Sequence, residues 1–316
     1  MKRNESKNAS TRIAIVEVGS NSIRFLVGDF DQSGAFDAVS TKSIRLHIGT
    51  AKPQAADVEN INEEVDRLIE TAGAVGYDEL LAYGTALCRR IAAEMPEKLD
   101  RRIRVLNARE EATAAWAAAF MCERDRSVPT ALTVIDLGTG STEIAVGSWD
   151  GSMLDGLQFT SLDLGTASLV DLLRSSGKLF PHRVVELLSS LELAELGAVG
   201  KFYLVGGVAT KIGWMKVRRN GDQEYKPYLV NGVSTSPTEL IELYQKLAKL
   251  RITDSTIGRK LVDARPGSED EFERVLTGSV FLAGLTTKLG AGEALYISGY
   301  GLRHGAAFLL QQGLWS

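Results

Sequence analysis

Cysteine, histidine and long apolar runs are all scarce in this chain of 316 residues. Its two cysteines, Cys88 and Cys122, are too few for a disulfide framework or a thiolate metal cluster. They suit a reducing compartment and read as small buried hydrophobes. Of the 3 histidines, His47 has no ligating or triad partner nearby along the chain. The most apolar segment, residues 112–122, is well short of the roughly 20 residues that a bilayer-spanning helix needs. Residues 1–10 are polar and mixed in charge, without the apolar core of a signal peptide. A formal charge of −4 gives no support for binding to nucleic acid or to an anionic membrane. The expected setting is therefore the cytoplasm. With a pI near 5.6, an anionic ligand must be met by local basic side chains or by a metal ion.

What the chain does have is glycine, 31 residues of it, and a stretch that occurs twice. The first copy is Ile13-Ala14-Ile15-Val16-Glu17-Val18-Gly19-Ser20-Asn21-Ser22, running on to Val27-Gly28. The second is Leu132-Thr133-Val134-Ile135-Asp136-Leu137-Gly138-Thr139-Gly140-Ser141, running on to Val146-Gly147. At one constant offset, apolar run matches apolar run, acid matches acid, and Gly and Ser match Gly and Ser. Each copy reads as a strand, a tight turn and a second strand. Successive N–H groups in such a turn can form a nest for a phosphate, and the preceding carboxylate can hold the metal that a polyphosphate brings. One copy would be ordinary turn chemistry. Two copies imply two similar domains, each presenting a phosphate turn, with ligands lodged in a cleft between them.

Hydrophobic residues make up 44% and charged residues 24%, a normal balance for a globular protein long enough for two domains. After the first hairpin, residues 36–46 read as a third strand, with Lys42 and Arg45 on an exposed face or at the rim of the cleft. Residues 57–75 carry a helical apolar stripe. Strands at 80–83 and 103–106 then alternate with helices from 86 and 109, the signature of an α/β domain. The charged, Pro-containing link 123–129 is the expected boundary, giving domains of 1–125 and 126–301, the first joined by a C-terminal helix at 302–316. In the second, a strand at 157–164 follows the hairpin, then helices at 167–174 and 181–192. Phe202-Tyr203-Leu204-Val205-Gly206-Gly207 reads as a strand entering a phosphate-type loop and helix. Residues 216–234 read as a polar loop, with helices at 237–249 and 270–289. Ala294-Leu295-Tyr296-Ile297-Ser298-Gly299-Tyr300-Gly301 repeats the strand-into-glycine form.

Taken in order, these pieces resemble the exopolyphosphatase / guanosine pentaphosphate phosphohydrolase family. That family belongs to the actin, sugar-kinase and Hsp70 superfamily of ribonuclease H-like folds. Its first phosphate motif, D-I/L-G-S-N-S, is matched by Glu17-Val18-Gly19-Ser20-Asn21-Ser22. Its G-T-x-x-x-R stretch is matched by Gly84 to Arg89, and its S-G-x-E-E-A stretch by Asn107-Ala108-Arg109-Glu110-Glu111-Ala112. The second phosphate motif, D-I/L-G-G-G-S-T-E, is matched by Asp136 to Glu143, the S-x-x-x-G stretch by Ser161 to Gly165, and the closing S-G-x-G-L/I-R-x-G by Ser298 to Gly305. Three positions depart from the pattern. Glu17 stands for Asp, Thr139 for Gly, and Asn107-Ala108 for Ser-Gly.

The resemblance implies an α/β fold of two similar domains with an interdomain cleft. It also implies Mg²⁺-dependent hydrolysis of the terminal phosphoanhydride of polyphosphate, or of guanosine pentaphosphate to the tetraphosphate. Glu110 would be the general base, Arg89 would stabilise the transferred phosphoryl group, and Glu143 would be a second base or metal helper, or only an exposed strand residue. Gly19, Ser20, Asn21 and Ser22, with Gly138, Thr139, Gly140 and Ser141, would bind phosphate. Asp136 and Glu17 would orient Mg²⁺. Because the three departures fall at these motifs, a divergent homologue that binds polyphosphate or the guanosine phosphates with little turnover is the alternative. Gly206-Gly207 and Ser298 to Gly301 would also suit the adenosine site of a kinase. A homodimer is the default assembly for such a protein.

Overall fold

The structure, a computed structural model, describes residues 10–31, 35–46, 48, 52–123, 125–150, 154–193, 196–218, 226–262 and 269–315. His47 and most of the polar N-terminal segment lie outside the described residues. The chain divides into two compact units, one of residues 1–107 with 306–316 and one of residues 108–305.

In the first unit, β1 (Thr11–Val18), β2 (Ser22–Phe30) and β3 (Phe36–Arg45) form an antiparallel meander. Helix α1 (Ala55–Val75) then crosses to β4 (Glu79–Gly84), which lies parallel to β1. Helix α2 (Ala86–Glu94) leads to β5 (Ile103–Val105), so the sheet order among the described residues is β3-β2-β1-β4-β5. β1 and β2 are buried along most of their length, as the apolar runs at residues 13–16 and 25–27 require. α1 turns Val58, Ile61, Val65, Leu68 and Ala72 inward at helical spacing. It starts from Gln54 and Asp57, which bond each other's backbone reciprocally, and stops at Gly76, whose φ of +84° favours glycine.

The second unit begins with α3 (Ala108–Phe120) and repeats the same plan. β6 (Thr130–Leu137), β7 (Thr142–Trp149) and β8 (Leu154–Leu162) form the antiparallel meander. Helices α4 (Thr166–Ser176) and α5 (Phe180–Ser190) cross to β9 (Lys201–Val205), parallel to β6. Between β9 and its parallel neighbour β11 (Leu295–Ile297) the chain inserts α6 (Gly207–Val217), the edge strand β10 (Val233–Thr235), α7 (Pro237–Thr253), α8 (Ser255–Leu261) and α9 (Glu269–Lys288). The order is β10-β11-β9-β6-β7-β8, so the first unit's order recurs with one strand added. Helix α10 (Leu302–Gln311) closes the chain.

Three findings differ from the sequence reading. The polar segment 216–234 ends in β10, which pairs with β11, and α8 follows α7 directly. The units divide after Asn107, not within 123–129. The cause is α3. Its alanines let it lie close on β6, β7 and β8, while Trp116 donates its indole N–H to the Leu132 carbonyl at 3.3 Å and stacks on Phe120.

Candidate functional site

The two matched turns are built alike. In the first, Gly19 N–H donates to the Ser22 carbonyl at 3.0 Å; in the second, Gly138 N–H donates to the Ser141 carbonyl at 3.0 Å. A Cβ at Gly19 would stand 3.3 Å from that carbonyl oxygen, and one at Gly138 would stand 3.1 Å away. Both glycines therefore serve turn closure, and their own N–H groups are spent there. Any N–H that meets a phosphate must come from the residues between. The second turn is further pinned by the start of α4. Thr166 N–H donates to the Gly138 carbonyl at 2.9 Å and Ala167 N–H to the Thr139 carbonyl at 3.1 Å. Gly165 makes this approach possible, since a Cβ there would meet Thr139 O at 2.2 Å. Thr139 Oγ1 accepts from Arg274 Nη1 of α9 at 3.4 Å, which brings a half-buried cation to the turn.

Behind the second turn lies a cluster of acids. Asp136 near the end of β6 pairs in register with Glu143 near the start of β7. Directly opposed antiparallel residues point to the same face, so these two carboxylates are neighbours. They are 4% and 2% exposed, and Glu111 of α3 is 4% exposed. Burial, then the charges of Glu111 and Asp136, push the Glu143 carboxyl well above the ordinary carboxylate range. Hydroxyls of Ser141 and Ser161 act the other way, Ser161 Oγ lying 3.1 Å from Glu143 Oε1. Asp136 rests against the N-terminus of α6, where a Cβ on Gly206 would come within 2.7 Å of Asp136 Oδ1. Gly206 has φ +97° and caps that helix, whose positive end favours the carboxylate.

The expected site residues separate as follows. Glu110, Asp136, Glu143 and the turn Gly138 to Ser141 belong to the second unit; Glu17, Arg89 and the turn Gly19 to Ser22 belong to the first. Of the adjacent pair on α3, Glu111 is the one turned into the acid cluster, and Glu110 is half-buried on the neighbouring face. Arg89 is half-buried on α2 and donates from Nη1 to the Leu106 carbonyl at 3.0 Å. Glu17, expected beside a metal, lies 3.6 Å from Arg24 Nη1, its cross-strand partner. Lys42 is exposed on β3, whereas Arg45 is half-buried opposite Ser22. Arg274 was invisible to sequence reasoning because nothing in its helix marks it. Arg24 was legible, since it occupies the place in the first copy that Glu143 occupies in the second.

Among the described residues, no group of three or more His, Cys, Asp or Glu side chains could hold a metal ion. The donor set nevertheless suits Mg²⁺, a hard cation usually held by one or two carboxylates with the rest of its shell from water and substrate phosphates. Asp136 and Glu143 supply two such oxygen donors, and a cation there would offset the repulsion that raises Glu143.

Comparison with known proteins decides the family. The sequence profile of the Ppx/GppA phosphatase family matches residues 61–311. The chain belongs to the Ppx/GppA phosphatase family. A Ppx/GppA family member from Aquifex aeolicus has the same fold at 19% identity and a TM-score of 0.76, over 98% of this chain and all of that one. An exopolyphosphatase-like protein matches 97% of this chain and 99% of its own at 19% identity and a TM-score of 0.74. An exopolyphosphatase from Cytophaga hutchinsonii matches 96% and 98% at 15% identity and a TM-score of 0.65. No curated protein sequence matches significantly. These likenesses show that the chain has the two-domain α/β fold of the Ppx/GppA proteins. No helix among the described residues is long and apolar enough to cross a membrane.

Proposed function

We propose that this Ppx/GppA protein hydrolyses the terminal phosphoanhydride of inorganic polyphosphate, or of guanosine pentaphosphate to the tetraphosphate, with Mg²⁺ as cofactor. The observation that carries the reading is the buried pair Asp136–Glu143 set behind a glycine turn, with Glu111 beside it. Three neighbouring acids in a protein interior are costly unless a cation or protons compensate them. Asp136 and Glu143 would hold Mg²⁺. When bound, the ion supplies neutralising charge to phosphoryl oxygens.

The chain's own residues supply the rest. The Thr139 hydroxyl and the N–H groups between Gly138 and Thr142 donate to the terminal phosphoryl group. Arg274 adds a guanidinium at the same turn. Glu110 is the more accessible of the two helix acids and takes a proton from the attacking water. The water oxygen bonds to the terminal phosphorus, the bridging oxygen leaves, and the products are orthophosphate and a chain one phosphate shorter.

Replacing Glu110→Gln tests this. Phosphate release from polyphosphate should fall by roughly a hundredfold or more with circular dichroism unchanged. Near-normal turnover would reject the role. Parallel assays on polyphosphate and guanosine pentaphosphate, with and without Mg²⁺, identify the substrate. The Glu17–Arg24 pair gives the second reading its support, a homologue that binds these anions with little turnover. Calorimetric binding without phosphate release would select it.

A further inference from the structure

The acids behind the second turn share their sheet face with a cation. Asp136 of β6, Glu143 of β7 and Ser161 of β8 oppose one another across the strands, and Phe159 of β8 opposes Ala145 of β7. Residues opposite one another, or two apart on a strand, point to the same face. Phe159 therefore lies on the face of the acid pair, about 7 Å along β8 from Ser161. Helix α3 packs on these strands and brings Glu111 to Glu143. The same helix sets the Arg109 guanidinium over the Phe159 ring, with Cζ 5.8 Å from the ring centroid.

Arg109 is exposed and Phe159 is half-buried. Arg12, Arg67, Arg102, Arg174, Arg183 and Arg251 each lie against a carboxylate. Arg109 has no such partner among the described residues, and its side-chain N–H groups make no hydrogen bond there. Nor does the helix gain from it. Arg109 sits in the first turn of α3, whose positive end favours Glu110 and Glu111 and repels a cation. A guanidinium held through a ring face keeps its in-plane N–H groups for another partner. That partner must be an acceptor, and an anion suits it best, because a guanidinium stays protonated in proteins and carries donors only.

We propose that Arg109, seated on Phe159, is a substrate-recognition residue that meets phosphoryl groups of the substrate beyond the one being transferred. The class of substrate, a linear oligophosphate, rests on the proposed function; the availability of the cation does not. Glu110, Glu111, Asp136 and Glu143 all belong to this unit, in a chain of net charge −4. A polyanion nearing these acids is repelled, and an exposed cation on the same face offsets the repulsion. Its seat on Phe159 is displaced along the strand from the acid pair, so Arg109 acts on binding and not on the bond that breaks. The forked guanidinium matches paired phosphate oxygens, and a longer chain offers more of them.

Phosphate release from long-chain polyphosphate and from tripolyphosphate, followed at low salt, tests this. Arg109→Gln should raise KM for long-chain polyphosphate roughly tenfold and leave kcat within about twofold, with a smaller rise for tripolyphosphate. Arg109→Lys should recover part of the loss. Phe159→Leu, which keeps the charge and removes its seat, should give an intermediate KM. Raising the salt should bring the wild-type KM up to that of Arg109→Gln. An unchanged KM in Arg109→Gln, or a fall in kcat alone, would overturn the proposal. Calorimetry with long-chain polyphosphate in excess EDTA gives a readout without turnover, in which Arg109→Gln should bind roughly tenfold more weakly than wild type. A wild type that binds in this way but releases no phosphate would sink the hydrolytic reading and leave this one standing. No binding by the wild type in EDTA, or equal binding by both chains, would sink this one alone.

Discussion

Substituting Gly165→Ala isolates how the second turn is held. Gly165 has φ −119° and ψ −174°, an extended conformation open to any residue, so an alanine there carries no backbone strain. Its only difficulty is space. The new Cβ would lie 2.2 Å from Thr139 O, 2.4 Å from Thr139 C and 2.6 Å from Gly140 N. Ordinary contact begins at 3.4 Å, so the turn and the start of α4 must part by about 1.2 Å. All three obstructing atoms are backbone, and no rotamer change relieves them. Overpacking of this kind costs about 1–3 kcal/mol. Parting also strains the bonds from Thr166 and Ala167 to the turn carbonyls, each contributing about 0.5–1.5 kcal/mol. The sum, roughly 2–6 kcal/mol, should lower Tm by roughly 4–24 °C for a unit of this size. Displacing the turn by about an ångström should also cost about a hundredfold in kcat for phosphate release. Scanning calorimetry and a phosphate assay read both. Gly73→Ala in α1 is the control, since nothing lies within 4 Å of its new Cβ, and it should stabilise by about 0.5–1 kcal/mol. If Gly165→Ala melts within about 2 °C of wild type and turns over normally, the close approach is not what holds the turn.

Further expectations follow from the same geometry. The folded Glu143 carboxyl is raised above its ordinary value of 4.5, so the folded chain keeps a proton that the unfolded chain releases. Its contribution is complete below pH 4.5 and is lost as pH rises through the raised value, at about 1.4 kcal/mol per unit. Glu143→Gln should therefore unfold in urea like wild type at pH 4 and resist urea better at pH 8; equal stability at both would refute the assignment. Gly206→Ala combines a φ of +97° with a Cβ 2.7 Å from Asp136 Oδ1, and should weaken Mn²⁺ binding as well as lower Tm. An unchanged metal affinity in that variant would separate Asp136 from the ion. Burial pushes the thiols of Cys88 and Cys122 up to about 12, leaving about one thiolate in ten thousand at pH 8. Iodoacetamide should modify neither in the native chain and both in urea, as mass spectrometry would show. Mg²⁺ should raise the Tm of the wild type and not that of Asp136→Asn.

Much of this was legible in the residues. Both hairpins announce themselves because their strands are rich in apolar residues and their turns are rich in glycine and serine. The stripe Val58, Ile61, Val65, Leu68 predicts α1 for an equally local reason. What escaped depends on distant partners. β10 is 3 residues long and exists because β11 offers it an edge. α8 is 7 residues long and starts where the Asp254 side chain accepts from Thr256 and Ile257 N–H. Its surface is polar enough to pass for loop. Glu110 and Glu111 look equivalent along the chain, and only the seating of α3 on β7 shows which one meets Glu143. The part of Gly165 in clearing space for Thr139 is a contact across a turn, with no local signal at all.

The first unit is made of two stretches far apart in sequence, residues 1–107 and 306–316, with the second unit's residues 108–305 between them in the chain. Its late contribution is apolar: Ala306, Ala307, Phe308, Leu309 and Leu310 are all buried. The first unit therefore closes only when its two stretches meet across residues 108–305, and a contact of such large sequence separation is slow to form.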